Sequence, residues 1–250
     1  MFKTTDVFKK NDTVEVLDSI MGSSKTTKIL EWIDSNPNVK YIYVSPLLKE
    51  VEEGGRIHTN LNKVSFETPT NDNGSKSDSF LSLLKEGVNV ACTHSLYLGM
   101  TSEHFNLIAK HGYTVIIDEE IDVIESFDKY SISDLRWLYD NNIVEISEDD
   151  GMVTWVGDRY LINDSHKYYT LLCYCDAKAL YAAKRSNSMM VTQLPVRLFE
   201  CAKRVIILTY MFKGNILDSF LKLKGIKCVP FTEVEVTKKN ESAPTQATRA

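Results

Sequence analysis

The sequence predicts an α/β fold built on a mainly parallel, doubly wound sheet. Short apolar, β-branched runs alternate along the chain with segments of helical periodicity, and turn-forming residues separate them. The runs at 113–117 and 205–208 are apolar at successive positions, which is typical of strands buried on both faces of a parallel sheet. With 250 residues, 43% of them hydrophobic, the chain is long enough for one large domain with an insertion.

Six segments have the composition of strands and three have apolar residues at helical spacing. The predicted strands are 13–17, 39–44, 88–92, 113–117, 205–208 and 226–229. The predicted helices are 26–34, 102–111 and 216–223. Gly112 and Gly225 follow the last two helices, where glycine commonly ends a helix. The polar tract 68–79 is predicted as a surface loop.

The block from about 128 to 193 departs from this alternation. Residues 143–146 and 152–156 flank an acidic turn and predict a hairpin, and an aromatic, lysine-containing helix is predicted over about 165–185. We therefore expect an insertion within a domain spanning 1–236. The polar, aperiodic stretch 237–250 is expected to be a disordered tail.

Charge and hydropathy exclude several broad classes. The formal net charge of −5 gives no overall attraction to nucleic acid or anionic membrane, so any nucleic-acid contact must be a local groove. The sequence has neither a signal peptide nor an apolar run of about 20 residues, so we expect a cytoplasmic protein that does not enter a membrane. The five cysteines lack metal or redox spacing and are expected to be reduced and mostly buried.

The loop after the first predicted strand carries the residues of a phosphate-binding site. Such a site needs backbone N–H groups at a helix N-terminus, a lysine for the outer phosphates and a hydroxyl for magnesium. Ser19 and Ser24 replace the two glycines of the pattern G-x-x-x-x-G-K-[ST], and serine at positive φ costs about 1–2 kcal/mol. The alternative is a serine-rich helix cap. The predicted nucleotide ligands are Ser19, Met21, Gly22, Ser23, Ser24, Lys25, Thr26 and Thr27.

The apolar run at 113–117 ends in carboxylates. Asp118 is therefore predicted at the carboxyl edge of the sheet, where such folds bind ligands. It would hold Mg²⁺ together with Thr26, while Glu119 would orient and deprotonate the attacking water and act with Lys25 in ATP hydrolysis. The alternative interpretation is an ordinary acidic N-cap of a following helix.

These motifs together resemble the first RecA-like domain of superfamily 2 helicases, particularly phage-type DEAD/DEAH-like helicases. The similarity spans most of residues 10–230, although only the ATP motifs are highly specific. Asp118-Glu119-Glu120-Ile121-Asp122 resembles the D-E-x-D/H box with one extra residue, and Leu208-Thr209-Tyr210 occupies the place of the S-A-T motif. The remaining matches are Tyr43-Val44-Ser45-Pro46 with Lys49, similar to motif Ia, and Thr93-His94-Ser95, similar to a T-H-S element.

The resemblance implies a RecA-like P-loop NTPase fold that uses ATP and Mg²⁺. It implies nucleic-acid contacts, with DNA as the expected form, from Ser45, Lys49, Thr93 and His94. Thr209 would couple the ATP state to motion. The alternatives are that Ser45 only ends a strand, that His94 is a satisfied histidine near the core, and that Thr209 caps a strand end.

The family's arginine finger belongs to a second RecA-like lobe that this sequence does not contain. We therefore expect weak hydrolysis in isolation and a second lobe or protein partner that supplies the arginine, because such a group is worth about 10³–10⁵-fold in related reactions. Arg197 and Arg204 could act on a neighbouring subunit, or they could be ordinary surface arginines. No upstream glutamine is present to read adenine.

Three functions remain open at this point. The leading hypothesis is a helicase- or translocase-like ATPase domain acting on nucleic acid, in the host cytoplasm if the protein is viral. The second is a non-catalytic nucleotide-binding or partner-interaction module. The third is a viral DNA-packaging ATPase, which normally continues into a nuclease domain with clustered carboxylates.

Overall fold

The computed structural model describes residues 9–72, 74–160, 162–163, 165–182 and 189–234, in which strands and helices alternate for most of the length. The strands are β1 (Thr13–Asp18), β2 (Tyr41–Ser45), β3 (Val90–Thr93), β4 (Thr114–Asp118), β5 (Ile124–Ser126), β6 (Val144–Ile146), β7 (Val153–Trp155), β8 (Leu180–Ala182), β9 (Met190–Gln193), β10 (Arg204–Thr209) and β11 (Lys227–Pro230). The helices are α1 (Lys25–Ser35), α2 (Leu48–Val51), α3 (Arg56–Thr59), α4 (Lys76–Glu86), α5 (His94–Leu98), α6 (Ser102–His111), α7 (Ile132–Asp140), α8 (Tyr169–Asp176), α9 (Arg197–Glu200) and α10 (Ile216–Leu223).

The main sheet has the strand order β11-β1-β10-β4-β2-β3, and every pairing in it is parallel. Each of the six segments predicted as strands contributes one strand to this sheet, which confirms the mainly parallel α/β prediction. β10 lies between β1 and β4 although it is far from both in sequence. The carboxyl ends of all six strands therefore meet at one edge, which carries the loops that follow β1, β4 and β10.

Helices cover both faces of the sheet. Along β4, Val115 and Ile117 belong to the apolar cluster on one face, whereas Ile116 belongs to the cluster on the other. The first cluster contains buried side chains of α4, α5, α6, α9 and α10, and the second contains those of α1, α2 and α3. Because both faces are buried, these strands are apolar at successive positions, which is the pattern that predicted them.

The predicted surface loop over 68–79 is wrong in its second half, where α4 begins. The Ser75 hydroxyl accepts from the backbone N–H of Asp78 at 3.1 Å, and the Asp78 carboxylate accepts from the backbone N–H of Ser75 at 3.1 Å. This reciprocal capping box satisfies two N–H groups at the helix start. Some of the polar residues in this tract therefore form the N-terminus of α4 and are not part of a loop. The short helices α2, α3 and α5 were not predicted either.

The block between β4 and β10 has its own small sheets and its own apolar cluster. β6 and β7 form the predicted antiparallel hairpin, and β5, β9 and β8 form a three-stranded antiparallel sheet. The apolar cluster of the block includes Phe127, Leu135, Leu138, Val153, Trp155, Leu171 and Met190. The boundaries of the insertion and of the whole domain remain predictions.

The predicted helix over 165–185 is wrong in its second half. α8 ends at Asp176, and Lys178 takes a left-handed backbone conformation with φ 54° that a continuing helix cannot contain. The chain then enters β8, which pairs with β9. The predicted residues 183–185 and the predicted disordered tail at 237–250 lie outside the described residues.

Two further sequence-based expectations concern cysteines and membranes. All five cysteines lie in the described part of the chain and are free, and three of them are buried. Burial raises the pKa of the Cys92 thiol, which keeps it protonated. No helix in the described residues is long and apolar enough to cross a membrane.

The end of α6 yields a stability prediction. Gly112 has φ 66°, and a Cβ there would meet only the Lys203 side chain, at 3.7 Å. Gly112→Ala should therefore cost only the left-handed conformation, lowering the free energy of unfolding by about 1–2 kcal/mol in urea denaturation. Gly99→Ala is the control, because Gly99 ends α5 at a negative φ of −78°. Equal costs for the two variants would contradict this explanation.

Candidate functional site

The loop between β1 and α1, predicted to bind phosphate, contains two residues with positive φ directly before the helix. Gly22 has φ 75° and Ser24 has φ 62°, so both lie in the left-handed region. Ser24 makes no side-chain capping hydrogen bond to α1, which argues against the serine-cap alternative at this residue. The Ser23 hydroxyl is buried and has no hydrogen-bond partner among the described residues. The loop therefore directs the N-terminus of an eleven-residue helix toward the sheet edge.

Lys25 lies folded against its own loop. Its Nζ donates to the carbonyl of Ser19 at 2.6 Å and to that of Ile20 at 3.2 Å. Burial lowers the pKa of Lys25, while Asp118, Asp18 and Glu119 oppose this shift. The ammonium thus donates to two carbonyl oxygens and lies close to carboxylates. A phosphate that entered the cavity could replace the carbonyls as its hydrogen-bond acceptor.

Thr26 and Asp118, predicted as the magnesium ligands, meet at the edge of the sheet. The Thr26 hydroxyl donates to Asp118 Oδ2 at 3.2 Å, and the Tyr43 hydroxyl donates to the same oxygen at 2.8 Å. Arg56 Nη2 lies 3.9 Å from that oxygen. Burial raises the pKa of Asp118, while the bonds from Tyr43 and Thr26 and the charge of Arg56 lower it. The carboxylate is therefore held by donors at the point where a metal would be bound.

The residues after Asp118 do not form a helix, which excludes the N-cap alternative for this motif. Glu119 is exposed, takes φ 66°, and donates its backbone N–H to the carbonyl of Leu208 at 2.9 Å. The Glu120 carboxylate accepts from the Thr209 hydroxyl at 3.1 Å and from the Asn215 side-chain amide. Thr209 also accepts the backbone N–H of Ser19 at 3.1 Å, so it contacts the loop and the acidic motif together.

A cavity of about 490 Å³ lies between the loop and the acidic motif, within the size range of ligand pockets. Every predicted nucleotide ligand except Ser19 lines it. Ser19 instead offers its carbonyl to Lys25. The lining residues are Met21, Gly22, Ser23, Ser24, Lys25, Thr26, Thr27, Arg56, Asp118, Glu119, Glu120, Leu208, Thr209 and Tyr210. No group of three or more His, Cys, Asp or Glu in the described structure could hold a metal.

The predicted nucleic-acid contacts lie at the ends of β2 and β3, and most of them are engaged within the protein. Ser45 is fully buried and donates its hydroxyl to Glu50 at 2.9 Å. Thr93 caps α5 by accepting from the backbone N–H of Leu96 at 3.4 Å. Lys49 is exposed. In this conformation Lys49 is the one of these residues with a free approach from solvent, and the contacts remain predictions.

His94 is partly buried and contacts the end of the acidic strand β4. Its Nε2 lies 2.9 Å from the backbone carbonyl of Asp118, and burial lowers the pKa of the imidazole. Because a carbonyl oxygen only accepts, Nε2 carries the proton in this bond. His94 therefore connects the T-H-S element directly to the end of β4, which fits the satisfied-histidine alternative.

Arg204 and Arg197 lie away from the cavity edge. Arg204 begins β10, at the opposite end from Thr209, and pairs with Glu15 and with Glu233, the latter at 2.6 Å. Arg197 donates to the Ser102 hydroxyl at 3.3 Å. Neither guanidinium lines the cavity. A contact from either arginine to a neighbouring subunit would have to form on another face of the molecule.

Four residues of the site were missed by sequence reasoning: Tyr43, Glu50, Arg56 and Glu120. Tyr43 sits in an apolar strand, and its hydroxyl reaches Asp118 only because β2 pairs with β4. Arg56 follows Gly54 and Gly55. Only the three-dimensional structure shows that Gly55 packs tightly against α2 and that Arg56 lines the cavity. Glu120 was noted as part of the acidic motif but not as the partner of Thr209.

Fold and site together define a parallel α/β protein with a left-handed glycine–serine loop and a buried carboxylate at the carboxyl edge of its sheet. No protein-family model matches the chain. The chain is similar to the SPbeta prophage-derived uncharacterized protein YonV of Bacillus subtilis (strain 168), with 28% identity over 235 residues. The match covers 92% of this chain and 55% of that protein, so the chain spans about half the length of its relative.

The Tyr43 hydroxyl bond yields a pH-dependent prediction. Magnesium needs the ionised carboxylate, and removing a donor that favours this form raises the pKa of Asp118 further. If the predicted Mg²⁺–ATP site is present, Tyr43→Phe should weaken Mg²⁺-dependent ATP binding by about tenfold, as expected for loss of a hydrogen bond to a charged group. The loss should grow as the pH falls, and affinity should begin to decline at a higher pH than in wild type.

Tyr41→Phe is the matched control for this titration. Its hydroxyl donates to the carbonyl of Asn36 at 3.0 Å and does not contact Asp118. Affinity should be measured calorimetrically across pH 5–8. A Tyr43→Phe profile that coincides with that of Tyr41→Phe would contradict a role for Tyr43 in setting the charge of Asp118.

Proposed function

We propose that this chain is the ATPase domain of a helicase- or translocase-like protein that acts on nucleic acid, completed by a second RecA-like lobe or a partner. The observation that carries the proposal is the contact between Thr26 and Asp118. These residues are 92 positions apart, yet Thr26 Oγ1 lies 3.2 Å from Asp118 Oδ2, beside a cavity lined by a left-handed glycine–serine loop. A loop, hydroxyl and carboxylate at one sheet edge are the parts that Mg²⁺–ATP requires.

In this proposal the loop binds the phosphates of ATP. Backbone N–H groups at the start of α1 donate to phosphate oxygens, and the Lys25 ammonium leaves the carbonyls of Ser19 and Ile20 for the outer phosphates. Thr26 and Asp118 hold Mg²⁺, which when bound neutralises charge on the outer phosphates. The short donor set suits a metal that takes one or two protein ligands and completes its shell with phosphate and water.

Glu119 carries the proposed chemistry on the attacking water. Its side chain is exposed and lines the cavity, and its left-handed backbone turns it out of the line of β4. The carboxylate orients the water and accepts its proton. Glu120 is instead bonded to Thr209 and Asn215, which makes it the weaker candidate for this role.

Thr209 is the proposed coupling residue. It joins the carboxyl end of β10 to the start of the loop through Ser19 and to the acidic motif through Glu120. Nucleotide binding that moves either partner would therefore alter β10. Lys49 in α2 is the exposed member of the proposed DNA-contacting set, and its other members, Ser45, Thr93 and His94, lie at the neighbouring ends of β2 and β3. The similarity to a prophage-derived protein fits action in the cytoplasm of a bacterial host.

A non-catalytic nucleotide-binding module is the second candidate. The observation that favours it is the state of the loop, in which Ser24 bears the positive φ normally assigned to glycine and Lys25 is tied to loop carbonyls. In such a module ATP is bound without turnover. The measurements of ATP binding and turnover described next distinguish this module from the motor.

Lys25→Ala tests the phosphate site. Loss of the ammonium should weaken Mg²⁺–ATP binding by about 100-fold or more, because charged contacts to phosphate are worth several kcal/mol in a partly buried site. Lys28→Ala is the matched control on the same helix, since Lys28 forms only a surface pair with Glu31 at 2.8 Å. If Lys25→Ala bound Mg²⁺–ATP as tightly as wild type, the loop would not be a nucleotide site.

Glu119→Gln tests hydrolysis separately from binding. It should bind Mg²⁺–ATP about as tightly as wild type while losing about 100-fold or more of the turnover, because the amide cannot accept the proton of water. Phosphate release should be measured without nucleic acid and with single- and double-stranded DNA and RNA. Glu148→Gln, in the exposed turn of the block, is the control.

Stimulation of wild type by a polynucleotide, lost in both Lys25→Ala and Glu119→Gln, supports the motor. Tight ATP binding by wild type with no turnover under any of these conditions supports the non-catalytic module instead.

A further inference from the structure

Arg56 is a cation at the cavity that the sequence motifs do not assign. It begins α3, is 38% exposed at its side chain, and lines the cavity together with the loop and the acidic motif. Its Nη2 lies 2.7 Å from Glu50 Oε1 and 3.9 Å from Asp118 Oδ2. Its Nε is buried and has no hydrogen-bond partner within the described structure. On the edge of the guanidinium formed by Nε and Nη2, only Nη2 therefore makes a hydrogen bond.

The backbone at the start of α3 packs closely against α2. A Cβ on Gly55 would lie 2.6 Å from the carbonyl oxygen of Lys49 and 2.7 Å from that of Glu50, so only glycine allows this approach to α2. Ile57, the next residue, is fully buried in the apolar cluster beneath the sheet edge. The guanidinium is therefore presented to the cavity by a packed helix start.

The surroundings of Arg56 change when Mg²⁺–ATP enters the proposed site. Asp118 would then hold the metal, and phosphate oxygens would lie in the cavity that Arg56 lines. A guanidinium offers five N–H groups in a planar fork that matches a phosphate, and the bond to Glu50 occupies only part of that fork in Arg56. The bond to Glu50 holds the group at the cavity before the nucleotide arrives.

We propose that Arg56 contacts the terminal phosphate of bound ATP from within the same chain and stabilises the charge that develops during its transfer. The inference rests on the proposed ATP site. The sequence led us to expect that a second lobe or a partner supplies the arginine that acts on ATP. Arg56 would take over part of that role, because it already lines the cavity. The glutamate that holds Arg56 also accepts from Ser45, so the arginine is linked to the end of β2.

The test compares nucleotides that differ in the terminal phosphate. Affinities for Mg²⁺–ATP, a non-hydrolysable Mg²⁺–ATP analogue and Mg²⁺–ADP should be measured by calorimetry on the full chain for wild type, Arg56→Ala and Arg56→Lys. Arg136→Ala, an exposed arginine on α7, is the matched control. Thermal unfolding of each variant verifies that it is folded.

Arg56→Ala should weaken binding of both triphosphates by at least tenfold while changing Mg²⁺–ADP affinity less than twofold. Turnover should fall by at least 100-fold in any condition where wild type hydrolyses ATP. Arg56→Lys should recover part of the triphosphate affinity but little turnover, because lysine keeps the charge and lacks the fork. Arg136→Ala should match wild type in every measurement.

Equal losses for ATP and ADP, or an unchanged ratio of their affinities in Arg56→Ala, would overturn the inference and leave Arg56 as a partner of Glu50 and Asp118. This outcome differs from failure of the proposed function. If wild type binds Mg²⁺–ATP and Lys25→Ala abolishes binding, a silent Arg56→Ala refutes the arginine contact alone. If wild type binds neither nucleotide, the ATP site and the inference both fall.

Discussion

The buried carboxylate of Asp118 is the constraint on which the arrangement of this edge depends. A carboxylate this far from water is costly unless donors surround it. Those donors come from separate elements: Thr26 from α1, Tyr43 from β2 and Arg56 from α3, while His94 from α5 bonds the backbone carbonyl of the same residue. Asp118 thereby connects the loop, the adjacent strands β4 and β2, and helices on both sides of the sheet.

Backbone strain is concentrated at the same edge. Of the five described non-glycine residues with positive φ, Ser24, Glu119 and Met211 follow β1, β4 and β10 respectively. Each costs about 1–2 kcal/mol relative to an ordinary conformation. The parallel sheet below them is apolar on both faces and can hold these turns in place. Strained residues often cluster at ligand sites, and here three of them follow neighbouring strands of the sheet.

The insertion block begins shortly after the acidic motif and ends before α9 and β10. It therefore separates in sequence the two strands that are adjacent in the sheet, and its own apolar cluster stabilises it locally. The similarity to the prophage-derived relative covers 92% of the chain, so the block cannot lie wholly outside the similar region.

The sequence by itself determined the six sheet strands, because burial on both faces requires apolar residues at successive positions. It also indicated that the loop before α1 and the acidic residues after β4 lie at one edge of the sheet. Helix boundaries near Ser75 and Lys178 were missed, since a single cap or left-handed residue outweighs composition. Only the tertiary structure decided that Tyr43 and Arg56 belong to the site. Their contacts to Asp118 cross 75 and 62 positions of chain. Such contacts follow from strand order and from a tight glycine approach, which no local pattern encodes.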